Sequence, residues 1–124
     1  MNREIKFRGK PVRKGGIWME GIGAYKTYTA EHLVLDAKCN CVEVVYLCQY
    51  TGLKDCNGNE IYEGDILTIS NNLKAVVIWF NGSFRLKDEL SCKATYFDDI
   101  GVIMRDYDVC IIGNIYDNPE IIKR

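Results

Sequence analysis

Two runs rich in β-branched and aromatic residues, 73–80 and 83–87, meet at Asn81-Gly82. Asn followed by Gly supplies positive φ at both central positions of a type I′ turn, whose twist matches the strands it joins. This predicts an antiparallel hairpin and commits the middle of the chain to sheet. Residues 66–70 lead through Asn71-Asn72 into 73–80, which extends the hairpin to a three-stranded meander. Asp55-Cys56-Asn57-Gly58 reads as a further tight turn, with the Asp55 side chain able to close an Asx-type turn on the backbone.

The remaining segments follow the same period. Residues 3–8 alternate, with Ile5 and Phe7 on one face and Glu4, Lys6 and Arg8 on the other, which predicts a half-buried strand ending at a Gly9–Gly16 loop. Residues 17–25 read as a glycine-broken strand, 33–35 as a short one and 109–115 as a buried one. In 41–50, Val42, Val44, Tyr46, Cys48 and Tyr50 share one face while Val45 and Leu47 make the other apolar, the mark of a central strand. Asn118-Pro119-Glu120 combines an N-cap, a proline at the first helical position and an acid at the positive helix end, which predicts a short helical turn. No window of eleven or more residues keeps a 3.6-residue apolar period, and 90–107 shows no clear pattern, so helix is a minor component. The expected fold is mainly β: one small domain over 1–124, either a bent antiparallel sheet or an SH3-like, partly open barrel, with the helical turn near the C-terminus.

A chain of 124 residues with 48% hydrophobic content can bury a core without metal or disulfide staples. It contains no apolar run near the roughly 18 residues of a membrane span, so no membrane partner is expected. Its first residues alternate instead of forming the apolar core of a secretion signal, and the expected compartment is cytoplasmic. There the six cysteines, Cys39, Cys41, Cys48, Cys56, Cys92 and Cys110, are expected as free thiols, with Cys48 and Cys110 in apolar surroundings. A zinc set of Cys39 and Cys41 with Cys48 or Cys56 and His32 is the alternative, but Cys-x-Cys lacks the Cys-x-x-Cys spacing of structural zinc knuckles. No metal or cofactor is therefore expected.

The net charge of −1 hides an asymmetry: Arg3, Lys6, Arg8, Lys10, Arg13 and Lys14 stand against Glu4 alone in residues 1–14, a balance of +5, which leaves −6 on the rest. Such an arm neutralises phosphates or pairs with acidic protein surface, so these six residues are the candidate nucleic-acid contacts. Catalytic sets are thin. The single His32 offers no imidazole pair, and neither a Gly-x-Ser-x-Gly elbow nor a phosphate-binding glycine loop is present. Asp98, Asp99, Asp106 and Asp108 could gather round a divalent cation, which keeps a metal-dependent enzyme as an alternative, although such clusters also form ordinary solvated faces. A non-catalytic protein is the favoured expectation.

Several motifs occur in a distinctive order. They are Arg3-Glu4-Ile5-Lys6-Phe7-Arg8, Trp18, Gln49-Tyr50-Thr51-Gly52-Leu53-Lys54-Asp55, Asn57-Gly58, Ile61-Tyr62-Glu63-Gly64-Asp65, Val77-Ile78-Trp79 and Ile112-Gly113-Asn114-Ile115-Tyr116-Asp117-Asn118-Pro119-Glu120. With this order the chain resembles the YopX family over nearly its whole length. The resemblance implies a small protein encoded by a bacteriophage or prophage and working inside the bacterial host cell, and it brings no reaction with it. Gln49, Tyr50, Thr51, Gly52, Leu53, Asp55, Gly58, Tyr62, Gly64, Asp65, Gly113, Asn114 and Pro119 are then motif positions that read as structural. The cysteine-rich segment 39–56, including Cys56 within the turn, departs from the family pattern. The leading expectation is an accessory protein that binds a protein partner or assembles into a homo-oligomer, with nucleic-acid contact through the basic arm as the next choice.

Overall fold

The computed structural model describes residues 4–12, 17–26, 32–35, 38, 40–70, 73–88 and 95–122. The chain divides into two compact units, Met1–Gly52 and Leu53–Arg124.

The first unit holds β1 (Phe7–Pro11), β2 (Met19–Gly21), β3 (Gly23–Lys26), β4 (His32–Leu35) and most of β5 (Cys41–Lys54). They pair antiparallel in the order β2-β1-β5-β4-β3, so β5 is central, as its composition predicts. The loop expected from Gly9 does not begin there, because β1 runs on to Pro11. Gly9 serves close packing: a Cβ there would lie 2.5 Å from Val44 Cγ1 and 2.9 Å from Val34 Cγ2.

The two-faced apolar run in β5 also has a local cause. Lys10 stands opposite Tyr46 but Pro11 stands opposite Val44, so Val45 is the extra residue of a bulge and is 51% exposed. The bulge reverses the alternation. Val44 lies on the Gly9 face with Val34, whereas Tyr46 and Cys48 lie on the opposite face, across from Lys10 and Arg8. The single face expected for Val42 through Tyr50 is thus split between two.

The second unit contains β6 (Glu60–Tyr62), β7 (Asp65–Ile69), β8 (Leu73–Phe80), β9 (Ser83–Asp88), β10 (Thr95–Asp99), α1 (Ile100–Asp106), β11 (Val109–Asn114) and a 3₁₀ turn, Pro119–Ile122. β6 pairs with β5, and the other strands form an antiparallel sheet in the order β10-β9-β8-β7-β11. The meander is the one expected, and Asn81 and Gly82 adopt φ of 51° and 81° in its turn. The Asn71-Asn72 turn lies outside the described residues. The helical turn expected at Asn118-Pro119 is the 3₁₀ turn.

One face of this sheet builds the core, with Leu67, Ile69, Ala75, Val77, Phe84 and Leu86 buried against Ile100 and flanked by Ile103 and Met104 of α1. Those three helix residues have i, i+3, i+4 spacing, the geometry that puts side chains on one helical face. In neither sheet do the end strands pair with one another among the described residues, so both are open sheets and the barrel alternative does not form. No described helix is long and apolar enough to cross a membrane.

Candidate functional site

Half of the basic arm is placed by the first sheet, while Arg3, Arg13 and Lys14 lie outside the described residues. Lys6, Arg8 and Lys10 are two residues apart, which brings them to one face of an extended segment. Across from them stand Tyr50, whose N–H donates to the Lys6 carbonyl, then Cys48, then Tyr46. The cations lie over rings: Lys6 Nζ is 5.4 Å from the Tyr50 centroid, Arg8 Cζ 4.8 Å and Lys10 Nζ 5.7 Å from that of Trp18. Trp18 in turn packs on Tyr46, with centroids 6.5 Å apart. Tyr50 and Cys48 are buried, whereas Tyr46 at the far end is 37% exposed. Lys6 also reaches two carboxylates, Glu4 at 3.5 Å and Glu20 at 3.8 Å.

In the second unit, polar side chains converge on backbone. Asp55 Oδ1 accepts the N–H groups of Asn57 and Asn59, and its Oδ2 accepts that of Ile111 on β11. Burial alone would push this carboxyl up, but the N–H groups of Ile111, Asn59 and Asn57, with the Asn59 side chain, hold it below its ordinary value. Next to it, the Cys56 N–H donates to the Val109 carbonyl, and Cys56 is disulfide-bonded to Cys110, with Cα atoms 5.5 Å apart. This corrects the expectation of free thiols at both positions. The turn after β5 lies against β11 and brings the pair within bonding range although 54 residues separate them in sequence. Cys48 is a buried thiol, as expected, Cys41 is an exposed thiol, and Cys39 and Cys92 lie outside the described residues.

Asp65, 1% exposed, accepts the Tyr62 N–H and closes the turn containing Gly64. The Gly64 carbonyl takes the Ile115 N–H, and Asn114 Oδ1 takes the N–H groups of Tyr116 and Asp117. Asn118 Oδ1 accepts from Asn114 N–H at 3.3 Å, while the Asn118 N–H donates to the Asn114 carbonyl.

The candidate metal carboxylates are not assembled in this way. Asp99 is the N-cap of α1, accepting the Gly101 N–H, and Asp106 and Asp108 are exposed; the Asp98 side chain is not among those described. No group of three or more His, Cys, Asp or Glu side chains suited to a metal occurs among the described residues. His32 is half-buried at the start of β4, across from Val44.

A sequence model of the family described as YopX protein matches residues 6–123. The chain belongs to the YopX family. No curated protein matches it. The YopX match spans both units, and the motif positions fall on their turns and strand ends. Gln49, Tyr50, Thr51 and Gly52 lie near the end of β5, and Leu53 packs against the core of the second unit. Asp55 and Gly58 belong to the first turn described above, and Tyr62, Gly64 and Asp65 to the second. Gly113 and Asn114 end β11, and Pro119 opens the 3₁₀ turn.

Sequence reasoning singled out Asp55 as a turn former but missed its bond to Ile111, for which nothing local in the sequence is a signal. It also missed the exposed end of the β8–β9 hairpin. There Trp79 is 52% and Phe80 38% exposed, and the Trp79 ring meets buried Phe84 edge-on at 4.8 Å.

Proposed function

We propose that this YopX-family chain is a phage or prophage accessory protein that acts in the host cytoplasm by binding, and that its partner is a protein, either another component or a second copy of itself. The observation that carries the reading is the Trp79-Phe80 end of the β8–β9 hairpin. Two large aromatic side chains stand well exposed beside a tight type I′ turn. Trp79 is held by Phe84, so immobilising it on a partner costs little further side-chain entropy. Tryptophan in such a setting is the residue most often found at the energetic centre of protein interfaces. A net charge of −1 adds no long-range repulsion to protein association.

Sedimentation velocity over a range of concentrations, with affinity capture from phage-infected cells, tests the reading using the full chain and Trp79→Ala. The expected result is a heavier species or a specifically captured protein that Trp79→Ala loses while it stays folded, with a cooperative melt lowered only by the lost Trp79–Phe84 contact. A chain that remains monomeric at all concentrations, and captures the same proteins with and without Trp79, overturns it.

A further inference from the structure

We infer that the first unit carries a site for single-stranded nucleic acid on the face of β1 and β5 bearing Arg8, Lys10, Trp18 and Tyr46. This surface is distinct in residues from the Trp79-Phe80 hairpin end and stands on separate observations.

The spacing comes first. Arg8 and Lys10 are alternate residues of one strand, so their Cα atoms are about 7 Å apart on one face. That separation is comparable to the step between successive phosphates in an extended single strand. The β1 ladder, paired with β5 from Phe7 to Pro11 and with β2 from Phe7 to Gly9, sets this spacing before any ligand arrives.

The rings come next. Arg8 and Lys10 both lie over Trp18, which orients their stems along the strip. Tyr46, directly across from Lys10 and 37% exposed, presents a second ring at 6.5 Å from Trp18, tilted by 32°. Cations that track a backbone, alternating with an aromatic ring for a base, make up the chemistry of sequence-tolerant single-strand binding. In a duplex the bases are already stacked on each other, so the rings have nothing to take. Acids flank the strip at its Lys6 and Arg8 end. Glu4 and Glu20 both lie within 4 Å of Lys6, and Glu20 stands opposite Arg8 in the β1–β2 register. Arg8 and Lys10, which share the Trp18 ring, are the two phosphate-contacting cations of the site.

Fluorescence anisotropy with end-labelled 15-mers of deoxythymidine and of uridine, a duplex of the same length and heparin as competitor tests the site in the full chain. Single strands should bind, with the DNA and RNA arms showing which sugar is preferred. Affinity should fall with salt at a log–log slope of about −1.4 for two phosphate contacts, at about −0.7 each. Lys10→Gln should weaken binding and make the slope shallower by about 0.7. Tyr46→Leu should weaken binding several-fold with the slope unchanged, because it removes stacking and no charge. Arg8→Lys keeps the charge and loses the planar stack on Trp18, and serves as a second variant if Tyr46→Leu melts early. No binding at low salt, equal binding of duplex and single strand, or full affinity in both Tyr46→Leu and Lys10→Gln overturns the proposal.

Discussion

The Asp55 carboxylate accepts the backbone N–H of Ile111 at 2.9 Å, joining a tight turn to a strand 56 residues later. Its other oxygen is taken by Asn57 and Asn59 at 2.9 and 2.8 Å, so a single side chain, 6% exposed, satisfies three amides. Asp55→Ala leaves those amides without their acceptor and should cost about 3 kcal/mol, given about 1–3 kcal/mol for each buried group left unsatisfied and partial relaxation to water. Asp55→Asn should cost about half as much, because one amide oxygen remains while its NH₂ faces an N–H donor. Urea unfolding of the two variants against the parent checks the order.

The same carboxylate makes stability depend on pH. Its folded pKa lies below the ordinary value, so the folded state binds that proton less readily than the unfolded chain. The contribution is then fully present above the unfolded pKa of about 4 and is lost as pH falls through the folded value. The difference in melting temperature between the parent and Asp55→Asn should be constant from neutral pH down to about 5 and shrink below about 4. A difference that stays constant to pH 2 would assign the effect to shape and not to charge.

Gly64 and Gly58 separate backbone strain from crowding. Both have positive φ, 89° and 83°, where an L side chain is disfavoured by about 1–2 kcal/mol. A Cβ at Gly58 meets nothing within 4 Å, whereas one at Gly64 lies 2.9 Å from Tyr116 Cε2. Gly58→Ala should therefore cost only the conformational 1–2 kcal/mol, and Gly64→Ala roughly twice that. The Gly64→Ala, Tyr116→Ala double variant should recover part of the crowding and none of the strain, as read by a double-mutant cycle.

The sequence was most legible where structure is decided locally. Asn81-Gly82 fixes its own turn by backbone preference, and the meander around it followed. The α1 helix was invisible because seven residues are too few to establish a period, and its N-cap, Asp99, was read for its charge as a metal ligand. Gly9 misled for the opposite reason. A glycine looks like a loop from one side, yet here it is demanded by Val44 and Val34, which arrive from other strands. The bulge at Val45 likewise depends on pairing with β1, so no alternation within β5 could announce it. At the candidate site, the basic residues were found by charge alone, but their alignment over Trp18 needed the β1–β2 register. Asp55 and Cys56 showed themselves as turn residues and concealed their partners on β11, since both contacts span more than fifty residues.

The Cys56–Cys110 bond ties the Asp55 turn to β11 beside the Asp55–Ile111 hydrogen bond. Closing a loop of this length removes unfolded-state entropy equivalent to about 4 kcal/mol in the chain-entropy model, with 2–4 kcal/mol usual in practice. The contacts that share its position do not depend on sulfur: Cys56 N–H still reaches the Val109 carbonyl, and Asp55 still holds Ile111. Reduction should therefore lower stability without unfolding the chain. A thiol reductant should depress the melting temperature by roughly 10 °C, taking about 4 °C per kcal/mol for a chain of this size. It should also release two additional thiols in a denatured titration, and exposed Cys56 gives the reductant its route in. Cys56→Ser without reductant should melt where the reduced parent does, and adding reductant to that variant should change nothing. A parent whose melting temperature and thiol count are both indifferent to reductant would mean that the two sulfurs remain thiols in solution, with the turn and β11 held by Asp55 alone.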